Sequence, residues 1–299
     1  MTISTIAVTG GNGKIGSAIL EHLADHGYET VNISRGKRCE GVSDTYITAN
    51  LLDAGETYGA IAKTGTDAVI HMGTIPDPYS DPDYRVYESN VMSAKHVLEA
   101  ADSLGLETVC LPSSINAIGS EHQERNADIR YLPVDEAHPR TPDDPYGIAK
   151  HAMEVTADGV GRRPSTDLTI ASLRYPWVTT EEEMREHFVE ADRSLEALAK
   201  VHPATGRDVL FSYLAVDDAT SIARKAVEAD FEGHEVFWAV AGDTTAAART
   251  TDIAAEYYPN AEIETEFGEH ETLVDLSKAA ELLDWEPQHS WRDLSTTRL

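Results

Sequence analysis

The chain has 299 residues and carries 52 Asp and Glu against 24 Lys and Arg, a formal net charge of -28 at pH 7. Phosphate-backbone binding is driven by basic surface, so no nucleic-acid partner is expected. The acidic residues run along the whole sequence instead of gathering in a tail, the pattern of a halophilic protein soluble in multimolar salt, where a Debye length of ~3 Å removes self-repulsion. In chain order, the apolar run TIAVTG precedes KIGSAILEHLADHG, where Ile15, Ile19, Leu23 and Ala24 share a helical face and Gly27 supplies the stop. The alternation continues, with strands expected in ETVNIS, TYITANL, DAVIHMG, ETVCLPSS and DLTIASLRY. Helices are expected between them in AGETYGAIAKTG, VMSAKHVLEAADSLG and YGIAKHAMEVTADGVGRR.

Repeated βα units of this kind build an α/β fold, a doubly wound parallel sheet of Rossmann type with its ligand edge at the carboxyl ends of the strands. After Tyr175 the alternation weakens. TTEEEMREHFVEADRSLEALAK reads as one charged helix, DVLFSYLAVDDATSIARKAVEA as a strand returning to a helix, and EVFWAVAG as another buried strand. A dinucleotide-binding domain over residues 1–175, with later strands around 208–242 returning to the sheet, is therefore expected. Residues 176–207 and 243–299 are expected to form a smaller substrate lobe over the sheet's carboxyl edge. The two cysteines, Cys39 and Cys110, cannot make a disulfide framework and are read as reduced thiols. No apolar run approaches ~18 residues and no basic segment leads into an apolar one, so a cytoplasmic location and no membrane partner are expected.

Gly10, Gly13 and Gly16 stand three apart where the first strand meets the first helix. Such glycines let the backbone turn tightly and approach a pyrophosphate, which then faces the free N–H groups of the helix start. Asn12, Lys14 and Ile15 lie in the same turn. The second strand ends in Ser34, Arg35, Gly36, Lys37 and Arg38 without an acid. A carboxylate there would bind a ribose 2'-hydroxyl, whereas a basic cluster accommodates a 2'-phosphate, so NADP is preferred and NAD stays possible. Tyr146 and Lys150 fall four apart at the start of a helix, hence on one face. A cation near a phenol favours the phenolate, which makes Tyr146 a candidate general base. Ser114, at the end of ETVCLPSS, reaches the same edge, where its hydroxyl can orient a substrate oxygen.

The glycine turn, HMG at 71–73, Asn90, the SS before INAIG, Tyr146 with Lys150, LRYP at 173–176 and the closing DLSKAAELLDWEP together resemble the extended short-chain dehydrogenase/reductase family. That family includes sugar-nucleotide epimerases and dehydratases, and the likeness runs in order along essentially the whole chain. The resemblance implies that Tyr146 is the base, that Lys150 binds the nicotinamide ribose, and that Ser114 polarises the substrate hydroxyl. It implies that Asn50 and Leu51 border the adenine, that Met72, Gly73, Thr74 and Asn90 belong to the dinucleotide site, and that Tyr175, Pro176 and Trp177 lie near the nicotinamide. Two departures stand out: Asn50 where the family often has Asp, and AIG where it often has VYG.

Within the family, SSINAIG and the modest length look more like sugar dehydrogenases than epimerases. The acidic composition adds a likeness to haloarchaeal aldose dehydrogenases of the L-arabinose-oxidising kind. The expected reaction takes hydride from C1 of a free aldose to NADP, with Thr74, Pro76, Ser114, Asn116 and Tyr146 against the sugar. A second reading is an NDP-sugar 4-epimerase or dehydratase with retained NAD, with Arg174, Arg185 or Arg193 as candidates for the diphosphate and each equally readable as a surface or sheet-edge arginine, and a third is a non-catalytic NADP sensor. His71, His122, His138 and His151 show no metal spacing, so no metal is expected. Asp77, Asp81 and Asp83 read as a solvated loop, and a homo-oligomer is a family expectation.

Overall fold

The computed structural model describes residues 3–36, 42–120, 122–123, 127–199 and 206–296. Lys37, Arg38 and Cys39 lie outside the described residues. The first half of the chain forms β1 (Thr5–Thr9), α1 (Lys14–Asp25), β2 (Glu29–Ser34), β3 (Thr45–Thr48), α2 (Ala54–Thr64), β4 (Ala68–His71), α3 (Asp83–Leu104) and β5 (Thr108–Ser114). A 3-10 turn (Ile115–Ile118), β6 (Tyr131–Leu132), α4 (Pro145–Gly161), β7 (Thr169–Tyr175) and β8 (Val178–Thr179) follow. The remainder holds α5 (Glu181–Met184), α6 (Leu195–Leu198), β9 (Leu214–Ala215), α7 (Val216–Glu228), β10 (His234–Trp238), α8 (Thr250–Tyr257), β11 (Glu262–Ile263), α9 (Ser277–Leu283) and α10 (Trp291–Thr296).

Seven strands lie in the order β10-β7-β5-β4-β1-β2-β3, and every pairing is parallel. The order reverses between β1 and β4, the switch point at which a doubly wound sheet opens a crevice. Strands buried on both faces read as near-continuous apolar runs, which is why IAV, AVI and TIASL carry so few charges. One face is covered by α1, α7 and α9, through Ile19, Leu23, Ile222, Ala279 and Leu283. The other is covered by α2, α3 and α4, through Ile61, Val97, Leu98, Met153 and Val160. In α1 the buried stripe is Gly16, Ile19, Leu20 and Leu23. Ala24, expected on that face, is exposed, because the period of 3.6 carries the stripe from Leu23 back to Leu20.

Two segments differ from the periodicity. Helix α3 starts at Asp83, well before VMSAKHVL, because Val86, Ser89 and Asn90 continue its buried face in mostly small and polar residues that hide the apolar signal. The charged stretch after β8 is not one helix: α5 passes into a π turn at Arg185–Val189, and α6 restarts at Ser194, whose Oγ accepts from Ala197 N at 3.3 Å. Met184 and Phe188, four apart before the break, enter one cluster with Tyr213 and Trp291. Burying a phenylalanine is worth about 1.5–3 kcal/mol, which anchors this segment to the C-terminal part. A further cluster over the carboxyl edge gathers Leu132, Val134, Phe211, Trp238, Ile253 and Leu273. Pairing of β6 with β11 joins residues 131–132 to the C-terminal part, while Trp285 lies with α7 and α9 against the sheet.

Candidate active site

A cavity of about 940 Å³ follows the carboxyl edge of the sheet, from the β1–α1 turn to β5 and α4. This is the upper end of the range for ligand sites, ~300–1,000 Å³. Lys14, Arg35 and Lys150 line it and, among the described residues, no Asp or Glu does. In a chain with 52 acids, the wall is thus biased toward an anionic ligand.

The glycines of the turn are required for different reasons. Gly10 has φ +68°, and a Cβ there would lie 2.6 Å from the Met72 carbonyl. A Cβ on Gly16 would lie 2.5 Å from the Gly10 oxygen, so both positions are dictated by packing inside the protein. Gly13 is different: its nearest contact would be 3.3 Å away, and it caps α1 without a side-chain hydrogen bond. Its bareness leaves backbone amides at a helix start open to the cavity, the cradle that a pyrophosphate fits. Asn12 braces this turn, accepting from Asn32 Nδ2 at 3.0 Å and donating its N–H to Ser34 Oγ at 3.3 Å. Ser34 in turn donates to Asn32 Oδ1 at 2.7 Å. Ile15, Ser34, Arg35, Asn50 and Leu51 line the same end. Thr9 Oγ1 accepts from the N–H groups of Met72 and Gly73 at 3.1 and 3.2 Å, fixing the second loop of the cradle.

At the other end Ser114 closes β5, and its Oγ accepts from Asn116 N at 3.2 Å, which turns the chain into the 3-10 segment. Asp144 caps α4 by accepting from Tyr146 N and Gly147 N, both at 2.9 Å. A Cβ on Gly147 would meet the Asn116 carbonyl at 2.6 Å, so this glycine lets the helix bearing Tyr146 lie against the Ser114 turn. Lys150 Nζ donates to Pro112 O at 2.5 Å and stands 5.3 Å from the Tyr146 ring centroid. Burial pulls the Lys150 ammonium down to about 7, with the Glu154 carboxylate opposing. Behind it Glu154 is buried against Arg174, with Nε–Oε1 and Nη2–Oε2 both at 2.9 Å, and accepts from Ser113 Oγ at 2.6 Å. Burial raises this carboxyl, but Arg174 and Ser113 outweigh it and hold Glu154 below the usual carboxylate range.

Residues 6–241 match the model of the NAD dependent epimerase/dehydratase family. The chain belongs to this family. A UDP-glucose 4-epimerase, named as putative, from Methanocaldococcus jannaschii is 28% identical over 155 residues, 50% of this chain and 48% of that protein. An NAD-dependent glucose-6-phosphate dehydrogenase from Haloferax volcanii is 30% identical over 160 residues, 50% of this chain and 60% of that protein. The chain thus spans about half the length of the curated relatives it matches. The solved structure of a glucuronic acid dehydrogenase from Chromohalobacter salexigens shares the fold, with a TM-score of 0.66 and 22% identity over 98% of this chain and 88% of that one.

Set against the expectations for this family member, most of the sequence-derived residues converge on the cavity. Met72, Gly73, Thr74, Pro76, Asn116 and Trp177 reach its wall, as do Tyr175 and Pro176. The Tyr175 hydroxyl points away, donating to Ala219 O at 3.3 Å, so only the ring faces the cavity. Three expectations are corrected. Asn90 is off the wall and clamps the loop after β4, its side chain bonded to Ile75 N at 2.8 Å and Ile75 O at 3.0 Å. Gly36 is also off the wall, its carbonyl accepting from Tyr46 OH at 3.2 Å. Lys14 keeps its place on the wall, with its Nζ reaching Glu183 Oε2 at 2.5 Å and Val178 O at 3.1 Å. None of the three arginines considered for a diphosphate lines the cavity: Arg174 is held by Glu154, Arg185 by Glu181, and Arg193 donates to Thr245 O at 2.6 Å while stacking on Phe188.

Two positions at this end of the cavity escaped the sequence reading. Glu154 follows Lys150 by four residues, the same spacing as Tyr146 to Lys150, so the helical face that singled out the pair continues to it. His122 lines the catalytic end, and nothing in its local sequence marks it. Cys110 is buried in β5, and burial pushes its thiol far above the ordinary range, as expected of an inert reduced thiol. Among the described residues no cluster of His, Cys, Asp or Glu could hold a metal, and no helix is long and apolar enough to cross a membrane.

Proposed function

We propose that the chain oxidises the C1 hydroxyl of a free aldose, an aldopentose such as L-arabinose, with NADP as acceptor and a lactone as product. The observation that carries this reading is the wall around the catalytic groups. Thr74, Ser114, Asn116 and His122 offer hydroxyl, amide and imidazole groups, and among the described residues the single arginine lining the cavity is Arg35, at the end of β2. A nucleotide-sugar diphosphate or a hexose phosphate would bring its charge to a place without an arginine fork. A neutral polyol needs none. The Haloferax glucose-6-phosphate dehydrogenase supports sugar oxidation as the class of reaction. NADP is favoured by Ser34 and Arg35 ending β2 with no carboxylate on the wall.

Tyr146 takes the proton of the C1 hydroxyl as general base, and Ser114 donates its hydroxyl hydrogen to the same oxygen. Lys150, when protonated, stabilises the charge on the Tyr146 oxygen. A bound dinucleotide supplies the two-electron acceptor for the C1 hydrogen, leaving C1 doubly bonded to oxygen. Pro176, Trp177 and Thr74 close the wall around these groups and limit water.

The test is initial-rate reduction of NADP and of NAD in concentrated KCl, across free aldoses, hexuronates and sugar nucleotides. Fastest turnover with a free pentose and NADP is expected, with Arg35→Ala cutting the NADP preference about 10-fold, the loss of one charged hydrogen bond. Conversion of a UDP-sugar without net reduction would overturn the reading.

A further inference from the structure

We propose that His122 is a specificity-determining residue that holds the sugar against Tyr146, an inference that rests on the sugar-oxidising reading above. Its ring stands 6.2 Å from the Tyr146 ring, centroid to centroid, at an interplanar angle of 82°, and lines the same cavity. On its other side Tyr79, 75% exposed at the start of the segment leading into α3, packs edge-on at 5.2 Å and 89°. His122 therefore stands between the exposed Tyr79 and Tyr146, with His122 and Tyr146 both on the cavity wall.

The residue is held there from both sides. Before it, Ser120 donates to Asn116 Oδ1 at 3.0 Å, and Gly119, at φ +86° with space for no side chain against Thr141, starts the loop. After it, Gln123 accepts from Asp143 N at 2.6 Å and donates to Asp144 Oδ2, the carboxylate that caps the Tyr146 helix. The ring position is thus set by the same cap that sets Tyr146. His122 itself adopts φ +66°, a left-handed conformation that a histidine enters at a cost. Strain of this kind is maintained only where the surroundings enforce it, and it gathers at ligand sites. With Asn116, His122 gives this end a mixed donor and acceptor wall, the chemistry that recognises the hydroxyls of a neutral sugar.

The left-handed backbone supplies a clean experiment. Glycine and asparagine both tolerate this φ, so His122→Gly and His122→Asn remove the ring without backbone strain. Wild type and both variants are assayed on whichever free aldose, hexuronate or sugar nucleotide the wild type turns over best, with NADP binding measured by fluorescence. His122→Gly is expected to raise the substrate KM about 5- to 10-fold, the loss of one or two neutral hydrogen bonds. Its dinucleotide affinity should stay within about 2-fold, and its ratio of hexose to pentose kcat/KM should rise as the wall recedes. His122→Asn, which keeps a donor and an acceptor, should restore part of the KM. Unchanged KM and substrate ratio in His122→Gly would overturn the role of His122 on any substrate, and a parallel loss of NADP affinity would make the residue structural. A wild type that prefers a sugar nucleotide overturns the proposed function instead, so the two failures read differently.

Discussion

At the dinucleotide end, the cradle for the pyrophosphate is backbone: Gly10, Gly13 and Gly16 fall within one turn, and the Met72–Gly73 amides are fixed by Thr9, a neighbour across two paired strands. At the catalytic end the wall is side chains, carried by β5, the loop holding His122 and the start of α4, and tied together by Ser120, Gln123 and Asp144. The first end depends on the covalent neighbourhood and a sheet register. The second depends on tertiary contacts between separate segments. The difference means that a substitution at the first end is felt in dinucleotide affinity, and in folding too where the backbone is tightly packed, whereas one at the second can change the reaction or the substrate and leave dinucleotide binding intact.

Tyr146→Phe tests that separation most severely. Loss of the general base should lower kcat by about 10²–10⁴-fold, while dinucleotide affinity, measured by fluorescence titration, stays within about 2-fold because the cradle lies elsewhere. A comparable loss of affinity would show that the two ends are one unit.

The glycines sharpen the comparison within the dinucleotide end. Gly16→Ala puts a Cβ 2.5 Å from the Gly10 oxygen and 2.9 Å from the Gly11 Cα, backbone atoms that cannot yield cheaply. It should cost about 1–3 kcal/mol of stability, read as a fall in Tm. Gly13→Ala meets a single contact at 3.3 Å, so the fold should hold. Its dinucleotide affinity should nonetheless drop about 10-fold, since the methyl occupies the approach of the pyrophosphate. Equal Tm losses in both variants would remove the ligand as the reason for Gly13.

The contrast also explains what could be read from the sequence. The sheet was legible as short apolar runs, its flanking helices and the Tyr146–Lys150 face as a 3.6 period, and the glycine turn as a spacing of three at a strand–helix junction, all signals local in the chain. Asn90 was misassigned because its type fits a cofactor contact, while the carbonyl and amide of Ile75 that claim it are set by the loop after β4. The partner of Lys14 was hidden for the same reason: Glu183 lies beyond β8, far along the chain. His122 gave no signal, because what makes it matter is its ring against Tyr146 and Tyr79, contacts made between loops. The break between α5 and α6 was hidden by a charged stretch in which few side chains are buried, Met184, Phe188, Arg193 and Leu198 among them.

The smallest effect concerns His71, which lies between the two ends. Thr9 Oγ1 accepts from Met72 N and Gly73 N and stands 2.7 Å from His71 Nδ1, so its own hydrogen is left for that nitrogen. Nδ1 is therefore the acceptor, and Nε2–H donates to Ser93 Oγ at 3.1 Å, which itself donates to Ser89 O. A second proton on the ring would turn Nδ1 into a donor facing the Thr9 hydroxyl hydrogen, inside a buried site that also feels Lys150. Burial first, and Lys150 second, push the ring from 6.5 down to about 3. Between those values the unfolded chain holds a proton that the folded chain does not, so stability falls as pH falls below 6.5, by up to about 1.4 kcal/mol per pH unit from this group. His22, pulled by burial to about 4, adds in the same direction. His71→Gln should lose about 1–3 kcal/mol at pH 7.5, where the ring's hydrogen bonds are complete, yet show a flatter decline of Tm toward pH 4.5 by calorimetry. A decline as steep as that of the wild type would mean that the ring is already charged in the fold, and that the Thr9 hub joining the Met72–Gly73 loop to β1 runs on the opposite polarity.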